Sequence, residues 1–428
     1  MRQRFYTAYL IIFATALMLF SYQSSQAQNL TSNGFRKGEV LVQLQPGSSI
    51  DEINQRYGTK VISAIPGTEI YHLEIPNNAN AQKFSDRLEK DKQIKTAEVN
   101  LLIKSVSVRP LQVSQGFPND RPDNFMREAL SYFVHQDTIS LLGFNAIHED
   151  GFLLGRGVTV AIIDTGVDRK HPLLAERLHT RSYDFVGDGD DDPSEVSGGE
   201  IAGHGTFVAG IVAVTAPEAK LLVLRAINER GIGTEDSVVR AIYYAMEQGA
   251  RVINLSFGSD TESQLISEAL QAARQAGIIL VAAAGNSNSN VAPFPASRGN
   301  ELVISVAATT VFDQKAAFSN FGKYITVCAP GQEIISTFLT RGSGVDIYAR
   351  WSGTSFAAPW VSGLAALIIE LYPQATGAQV SEYIRLGADS VTFNNELDLL
   401  GQLGRGRINP IKSLLLAYDD LIEKIHSR

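Results

Sequence analysis

The chain has 428 residues, of which 44% are hydrophobic and 19% are charged, and it has a single cysteine. This length allows a large core plus an accessory domain, and one cysteine excludes an intrachain disulfide. The formal net charge of −8 is uneven, because residues 1–110 are net +4 and residues 111–428 therefore carry −12. An acidic body of this kind argues against nucleic acid as a partner.

The first residues have the pattern of an export signal. Arg2 and Arg4 precede an apolar run over residues 9–20, and Ser and Gln residues then lead to Ala27. This pattern predicts a secretory signal peptide over residues 1–27. The apolar run is too short for a membrane span and no other stretch qualifies, so we expect an exported protein without one.

Residues 36–104 form a separate pattern of alternating strand-like stretches and amphipathic helical stretches. Their order, β-α-β-β-α-β, predicts a small ferredoxin-like α+β domain, which we assign to residues 28–110. Residues 105–124 are rich in Ser, Pro, Asn, Asp and Gly. This composition predicts an exposed linker open to cleavage, assigned to residues 111–124, before a second domain over residues 125–428.

The second domain shows continuous apolar runs that alternate with helical patterns. A run of β-branched and apolar residues that is not interrupted by polar ones is typical of a strand buried on both faces. The alternation therefore predicts a parallel sheet with helices on both faces, which is a three-layer α/β domain. The strand-like runs are residues 158–163, 221–224, 252–255, 278–283 and 302–306, and the helical ones are 204–214, 235–248 and 261–276.

Ser355 precedes a long run, residues 360–371, that is apolar on every side and therefore predicts a buried helix. Pro359 is expected in the first turn of that helix, which places the helix start close to Ser355. A serine there faces free N–H groups and the positive end of the helix dipole. An N-cap is the commoner role for such a serine, and only its partners can establish a nucleophile.

Four polar residues fall where the carboxyl ends of parallel strands meet. Asp164 follows the first strand, His204 opens a helix, Asn286 ends a strand-to-turn stretch, and Ser355 starts the buried helix. A serine hydroxyl needs an adjacent base, histidine titrates in the right range, a carboxylate orients the histidine, and an amide can donate to an oxyanion. The chain order Asp, His, Ser differs from the orders of the α/β-hydrolases and the chymotrypsin-like enzymes.

With these residues in place, residues of about 125–417 resemble a subtilisin-family serine protease. The strings that carry the resemblance are Asp-Thr-Gly at 164–166, His-Gly-Thr-Phe-Val-Ala-Gly at 204–210 and Gly-Thr-Ser-Phe-Ala-Ala-Pro at 353–359. Residues 36–104 resemble the propeptide of that family, an intramolecular chaperone and inhibitor that the enzyme cuts from itself.

The resemblance implies catalytic roles. Ser355 would be the nucleophile, His204 the general base and then acid, and Asp164 the residue that orients the histidine. Asn286 and the Ser355 N–H would form the oxyanion hole. No catalytic cofactor is implied.

The resemblance also implies a binding mode in which the substrate adds as an extra strand between two edges, with the P1 side chain in a pocket beside them. The first edge would be Ser256, Phe257 and Gly258, the opposite edge Gly231 and Gly233, and the pocket wall Ala283, Ala284 and Gly285. This wall has no acidic residue, so apolar or aromatic P1 residues are expected. Phe294-Pro295 resembles a family position with a cis peptide bond.

The sequence departs from the family pattern at three positions without losing a catalytic group. Phe207 and Trp360 stand where the family often has histidine, and Phe356 stands where it usually has methionine.

An acidic loop at residues 184–200 has two open interpretations, because alternating acidic residues can bind calcium but can also form a solvated loop. The candidate calcium ligands are Asp184, Asp188, Asp190 and Asp192.

Taken together, we expect a secreted or periplasmic serine endopeptidase that acts on proteins or peptides, is inhibited by its own propeptide and is monomeric. Two alternatives remain open at this point. One is a catalytically silent binding protein with the same fold, and the other is a peptide ligase or transacylase that uses the same acyl-enzyme chemistry.

Overall fold

The computed structural model describes residues 34–77, 79–105, 133–134, 136–187, 191–340 and 348–427. The predicted signal peptide and the predicted linker at residues 111–124 lie outside the described residues. By its internal contacts the chain divides into two units, the first ending at Leu102 and the second beginning at Ile103.

The first unit has the predicted β-α-β-β-α-β order. Its strands are all antiparallel to their neighbours, in the spatial order β4-β1-β3-β2, which is the ferredoxin-like arrangement expected. Ser49 stands at the start of the first helix, where its side chain makes no capping hydrogen bond. The elements are β1 (Phe35–Leu44), α1 (Ile50–Tyr57), β2 (Lys60–Ala64), β3 (Ile70–Glu74), α2 (Ala81–Leu88) and β4 (Ile94–Ser105).

The second unit alternates strands and helices. Its first half contains α3 (Asp137–Leu142), α4 (Phe144–His148), β5 (Thr159–Asp164), β6 (Tyr183–Asp184), α5 (His204–Thr215), β7 (Lys220–Arg225), β8 (Ile232–Thr234), α6 (Glu235–Glu247), β9 (Val252–Leu255) and β10 (Phe257–Gly258). Its second half contains α7 (Gln264–Gln275), β11 (Ile279–Ala283), β12 (Ile304–Thr309), β13 (Val327–Pro330), β14 (Ile334–Thr337), β15 (Tyr348–Trp351), α8 (Thr354–Leu371), α9 (Gly377–Gly387) and α10 (Pro410–His426). Short 3₁₀ turns occupy Glu149–Gly151, Ala296–Arg298, Thr392–Asn394 and Leu397–Leu399.

Within the described residues, the second unit is built on a seven-stranded sheet in the order β13-β12-β11-β9-β5-β7-β6. Every neighbouring pair in it is parallel, which confirms the predicted α/β architecture. The strands are buried on both faces, as their uninterrupted apolar runs predict. Because β7 lies on one side of β5 and β9 on the other, the chain reverses its winding direction next to β5, where such sheets place their sites.

Helix α8 is the central helix of the second unit. It packs against α5 and against β9, β11 and β12, and its residues are buried from Thr354 to Ile369. Among the described residues it is the one helix long and apolar enough to cross a membrane, and 89% of that stretch is buried inside the protein.

The structure corrects the expected position of Pro359 and confirms the expected cis bond before Pro295. Pro359 is the sixth residue of α8, one turn deeper than predicted. The Ser355 carbonyl, which would accept from an N–H at position 359, accepts a hydrogen bond from Ser256 Oγ instead. The Phe294–Pro295 peptide bond is cis, as expected.

Candidate active site

Asp164 is the last residue of β5, at the carboxyl edge of the sheet. In the sheet register, Ile163 pairs with Leu255 of β9, and Leu255 pairs with Ala282 of β11. The residues that follow these three strands therefore lie along one edge, as expected for a parallel sheet.

His204 is the first residue of α5, directly after Gly203, whose φ of 95° is left-handed. Its ring Nδ1 lies 2.7 Å from Asp164 Oδ1, and both side chains are fully buried. The Thr165 N–H donates to the same carboxylate oxygen at 2.7 Å. A carboxylate at Nδ1 keeps the proton of the neutral imidazole on that nitrogen, so Nε2 is left as the basic atom.

Two aromatic rings flank the His204 imidazole. The Phe356 ring lies 5.3 Å from it between centroids, and the Trp351 ring lies 5.7 Å away and nearly perpendicular. Within the described residues Nε2 makes no hydrogen bond. The Oγ of Ser355 donates instead to the carbonyl oxygen of Ser256 at 3.3 Å. The nucleophile–base hydrogen bond is therefore not made in this state, and such bonds often tighten only when substrate is bound.

Ser355 is the second residue of α8, and its carbonyl oxygen has lost its helical partner because Pro359 has no N–H. Ser256 Oγ replaces that partner by donating to the Ser355 carbonyl at 3.1 Å. Ser256 Oγ accepts in turn from Asn254 Nδ2 at 2.8 Å, and Asn254 Oδ1 accepts from Ser362 Oγ at 2.9 Å. This buried network connects β9 to both ends of the first two turns of α8.

Asn286 is held at the start of α8 by its oxygen. The Thr354 N–H donates to Asn286 Oδ1 at 2.9 Å, and Thr354 Oγ1 accepts from the Gly285 N–H at 3.0 Å. The Nδ2 group is therefore the donating end of this amide. The Ser355 N–H is one of the first four of the helix, which have no acceptor within it. The two donors and the positive end of α8 together suit an oxyanion.

The two edges expected to bind a substrate backbone enclose an extended segment of the chain itself. Lys104 and Ser105 pair antiparallel with Gly258 and Phe257, and the Ser105 N–H donates to the Gly231 carbonyl at 2.9 Å. These edges therefore accept an added strand. The residues expected to form them, Gly231, Gly233, Ser256, Phe257 and Gly258, are buried.

The expected P1 wall, Ala283, Ala284 and Gly285, is buried and follows β11. Gly285 has a φ of 103°, and a Cβ there would lie 2.4 Å from the amide nitrogen of Asn320. A glycine is required at this position, and the wall presents small apolar surfaces.

The two candidate calcium ligands that the structure describes, Asp184 and Asp192, both form ion pairs with arginine side chains. The buried Asp184 carboxylate pairs with the buried Arg225 guanidinium, and Asp192 pairs with Arg169 at 3.0 Å. The remaining two candidates, Asp188 and Asp190, lie outside the described residues. The described part of the chain contains no group of three or more His, Cys, Asp or Glu side chains able to hold a metal ion.

Glu195, in the same loop, is a residue of the site that sequence reasoning missed. Its carboxylate accepts from the Gly203 N–H at 2.8 Å and the Thr206 N–H at 3.0 Å, on either side of His204. Burial raises the pKa of the Glu195 carboxyl and the charge of Asp164 acts in the same direction, although hydrogen bonds from Thr165 and Thr206 oppose them. The sequence signal was available only as one more acid in an acidic loop.

Comparison with known proteins finds a family match for each of the two units. The model described as "Subtilase family" matches residues 155–406, and the model described as "Fervidolysin N-terminal prodomain" matches residues 22–100. The thermophilic serine proteinase of Bacillus sp. (strain AK1) is 34% identical over 349 residues, 78% of each chain. Thermitase of Thermoactinomyces vulgaris is 36% identical over 274 residues, which is 61% of this chain and 89% of thermitase.

A solved structure has the same fold. Fervidolysin from Fervidobacterium pennivorans, described as a keratinolytic enzyme related to subtilisin, superposes with a TM-score of 0.72 at 24% sequence identity. The match covers 90% of this chain but 62% of fervidolysin, so this chain spans about three fifths of that protein.

Proposed function

The chain belongs to the subtilase family, and from that premise we propose a secreted serine endopeptidase that is made as a zymogen and processes itself. Family membership makes it a serine-type endopeptidase, a class that generally needs no catalytic cofactor. The observation that carries the proposal is the buried His204–Asp164 pair at 2.7 Å, on the same sheet edge as the helix start that holds Ser355.

In the proposed reaction, the Ser355 hydroxyl leaves the Ser256 carbonyl and turns toward His204 Nε2. Nε2 takes the hydroxyl proton as Oγ attacks the scissile carbonyl carbon, and Asp164 stabilises the imidazolium that forms. Asn286 Nδ2 and the Ser355 N–H donate to the oxyanion. The imidazolium then gives its proton to the leaving amine, and a water activated by His204 hydrolyses the acyl-enzyme to release the second product.

A substrate would bind as an extended strand where residues 104 and 105 lie. Main-chain hydrogen bonds to Gly231 and to residues 256–258 supply affinity that does not depend on sequence. Selectivity then comes from the pocket walled by residues 283–285. Because this wall is apolar and has no charged side chain, apolar or aromatic P1 residues are favoured.

Zymogen control rests on the N-terminal unit, whose match to a prodomain family supports a propeptide that inhibits its own protease. Self-cleavage would fall within residues of about 104–124, where the linker is predicted, and export would depend on the predicted leader at residues 1–27. Structural calcium stays a prediction.

One comparison tests the proposal. The wild type and Ser355→Ala are expressed as full chains, and propeptide removal and casein digestion are followed side by side. Loss of both in the variant supports a self-processing protease. Unchanged processing in the variant would contradict self-cleavage, and a folded wild type that digests nothing would indicate a silent binding protein. Transfer of acyl groups to added amines in preference to hydrolysis would indicate a ligase.

A further inference from the structure

The Glu195 carboxylate holds together the two segments that carry Asp164 and His204. Besides the Gly203 and Thr206 N–H groups, it accepts from the hydroxyls of Thr165 and Thr206. Thr165 directly follows Asp164, and Gly203 and Thr206 flank His204. One carboxylate therefore contacts both segments.

The two threonine hydroxyls show why a carboxylate is needed there. Thr165 Oγ1 accepts from the Gly205 N–H at 2.9 Å, and Thr206 Oγ1 accepts from the Asp168 N–H at 2.8 Å. A hydroxyl has one hydrogen, and each of these hydroxyls gives it to Glu195. Their lone pairs are thereby directed at an N–H of the opposite segment, so Glu195 fixes two crossed hydrogen bonds between the segments.

The segments that follow Asp164 and His204 pack closely and leave little room for another side chain between them. An ideal Cβ on Gly205 would lie 2.1 Å from the Gly166 carbonyl oxygen, so the two segments are in backbone contact beside Thr165. All four groups around Glu195 donate, which matches an ionised carboxylate because that group only accepts. Its charge also lies at the positive end of α5, where it is stabilised.

We propose that Glu195 is a positioning residue, which sets the geometry of the Asp164–His204 pair by clamping residue 165 against the first turn of α5. The proposal rests on the proposed function of that pair. Glu195 does not contact the reacting atoms and acts only through Thr165 and α5.

The test compares Glu195→Gln with Glu218→Gln in enzyme that is expressed as the full chain. The glutamine side chain keeps the shape of the glutamate but brings an NH₂ group against N–H and O–H donors, so the clamp loses its matched acceptors. Glu218 makes an exposed ion pair with Arg156 near the other end of α5 and serves as the matched control. Active-site concentration is titrated with a covalent serine reagent, so that kcat refers to folded sites only.

We expect kcat of Glu195→Gln to fall about 10- to 100-fold, the scale of a small misplacement of catalytic groups, with KM changed less than about twofold. Glu195→Asp keeps the charge with a shorter reach and is expected to recover part of kcat. Glu218→Gln is expected to match the wild type. A normal kcat per titrated site in Glu195→Gln would overturn the proposal, as would equal losses in the Gln and Asp variants.

A second readout does not need turnover. In full-length Ser355→Ala protein, the Nδ1 proton of His204 gives a far-downfield NMR resonance while it is bonded to Asp164. We expect Glu195→Gln to shift or broaden that resonance, and Glu218→Gln to leave it unchanged. If Glu195→Gln does not fold, Thr165→Val, which removes one arm of the clamp, takes its place. An unmoved resonance overturns the clamp, whereas failure of the protease assay with a shifted resonance would contradict only the proposed function.

Discussion

The Ser355 carbonyl, which accepts its hydrogen bond from outside α8, leads to a prediction about stability. Pro359 deprives this carbonyl of its helical donor, and Ser256 Oγ supplies another at 3.1 Å. Ser256→Ala removes that donor and also the acceptor of Asn254 Nδ2. Each buried polar group left without a partner costs about 1–3 kcal/mol, so the loss should be about 2–6 kcal/mol if neither group finds another partner.

The same reasoning predicts coupling between Ser256 and Pro359. In Pro359→Ala the alanine N–H can bond to the Ser355 carbonyl four residues back, as in any helix. Ser256→Ala should then orphan only the Asn254 amide, and its cost should be smaller by about 1–3 kcal/mol. The two substitutions are therefore expected to be less damaging together than the sum of their separate effects.

Denaturant unfolding of the four proteins of this cycle measures the coupling. All four carry Ser355→Ala, which prevents self-digestion and keeps the carbonyl in question. Equal costs of Ser256→Ala with proline and with alanine at position 359 would refute the reasoning, because the Ser355 carbonyl would then not be the group that Ser256 satisfies.

Two further predictions concern single residues. Asn286→Ala removes a proposed oxyanion donor, so kcat on a chromogenic peptide should fall about 10²- to 10³-fold with KM nearly unchanged. A change mainly in KM would assign the amide to substrate binding instead. Asp184→Ala removes the carboxylate that pairs with the buried Arg225 guanidinium. It should destabilise the protein by about 3–5 kcal/mol both with calcium and with a chelator. If the variant lost stability only in the presence of calcium, Asp184 would be assigned to a calcium site.

The parts of the fold that follow from chain periodicity were predictable. The uninterrupted run over residues 158–163 is typical of a strand buried on both faces, and the structure has β5 at Thr159–Asp164. Because Asp164 ends that strand and His204 opens α5, their placement at one edge of the sheet also followed from the pattern. Residues 327–330 were not predicted as a parallel strand, because their second half, Ala329 and Pro330, consists of residue types that are depleted in strands.

Pro359 shows where a local rule fails for a reason outside the local sequence. The rule that confines proline to the first turn assumes that the freed carbonyl stays unsatisfied. Here the freed carbonyl belongs to Ser355, and Ser256, 99 residues before Ser355 in the chain, donates to it. Only the register that brings β9 beneath α8 could have shown this, and the register depends on the whole sheet.

The acidic loop shows why the partner of a carboxylate cannot be read from its spacing. An acid can bind a metal ion, a guanidinium, a hydroxyl or the N–H groups at a helix start, and each choice depends on which group the fold brings within about 3 Å. Asp184 lies against Arg225, Asp191 accepts from the Tyr183 hydroxyl at 2.6 Å, and Asp192 pairs with Arg169. Glu195 instead accepts from the turn that carries His204. The same acidic pattern thus contains residues that bind a guanidinium or a hydroxyl, as Asp184, Asp191 and Asp192 do, and Glu195, which binds the helix start that carries His204.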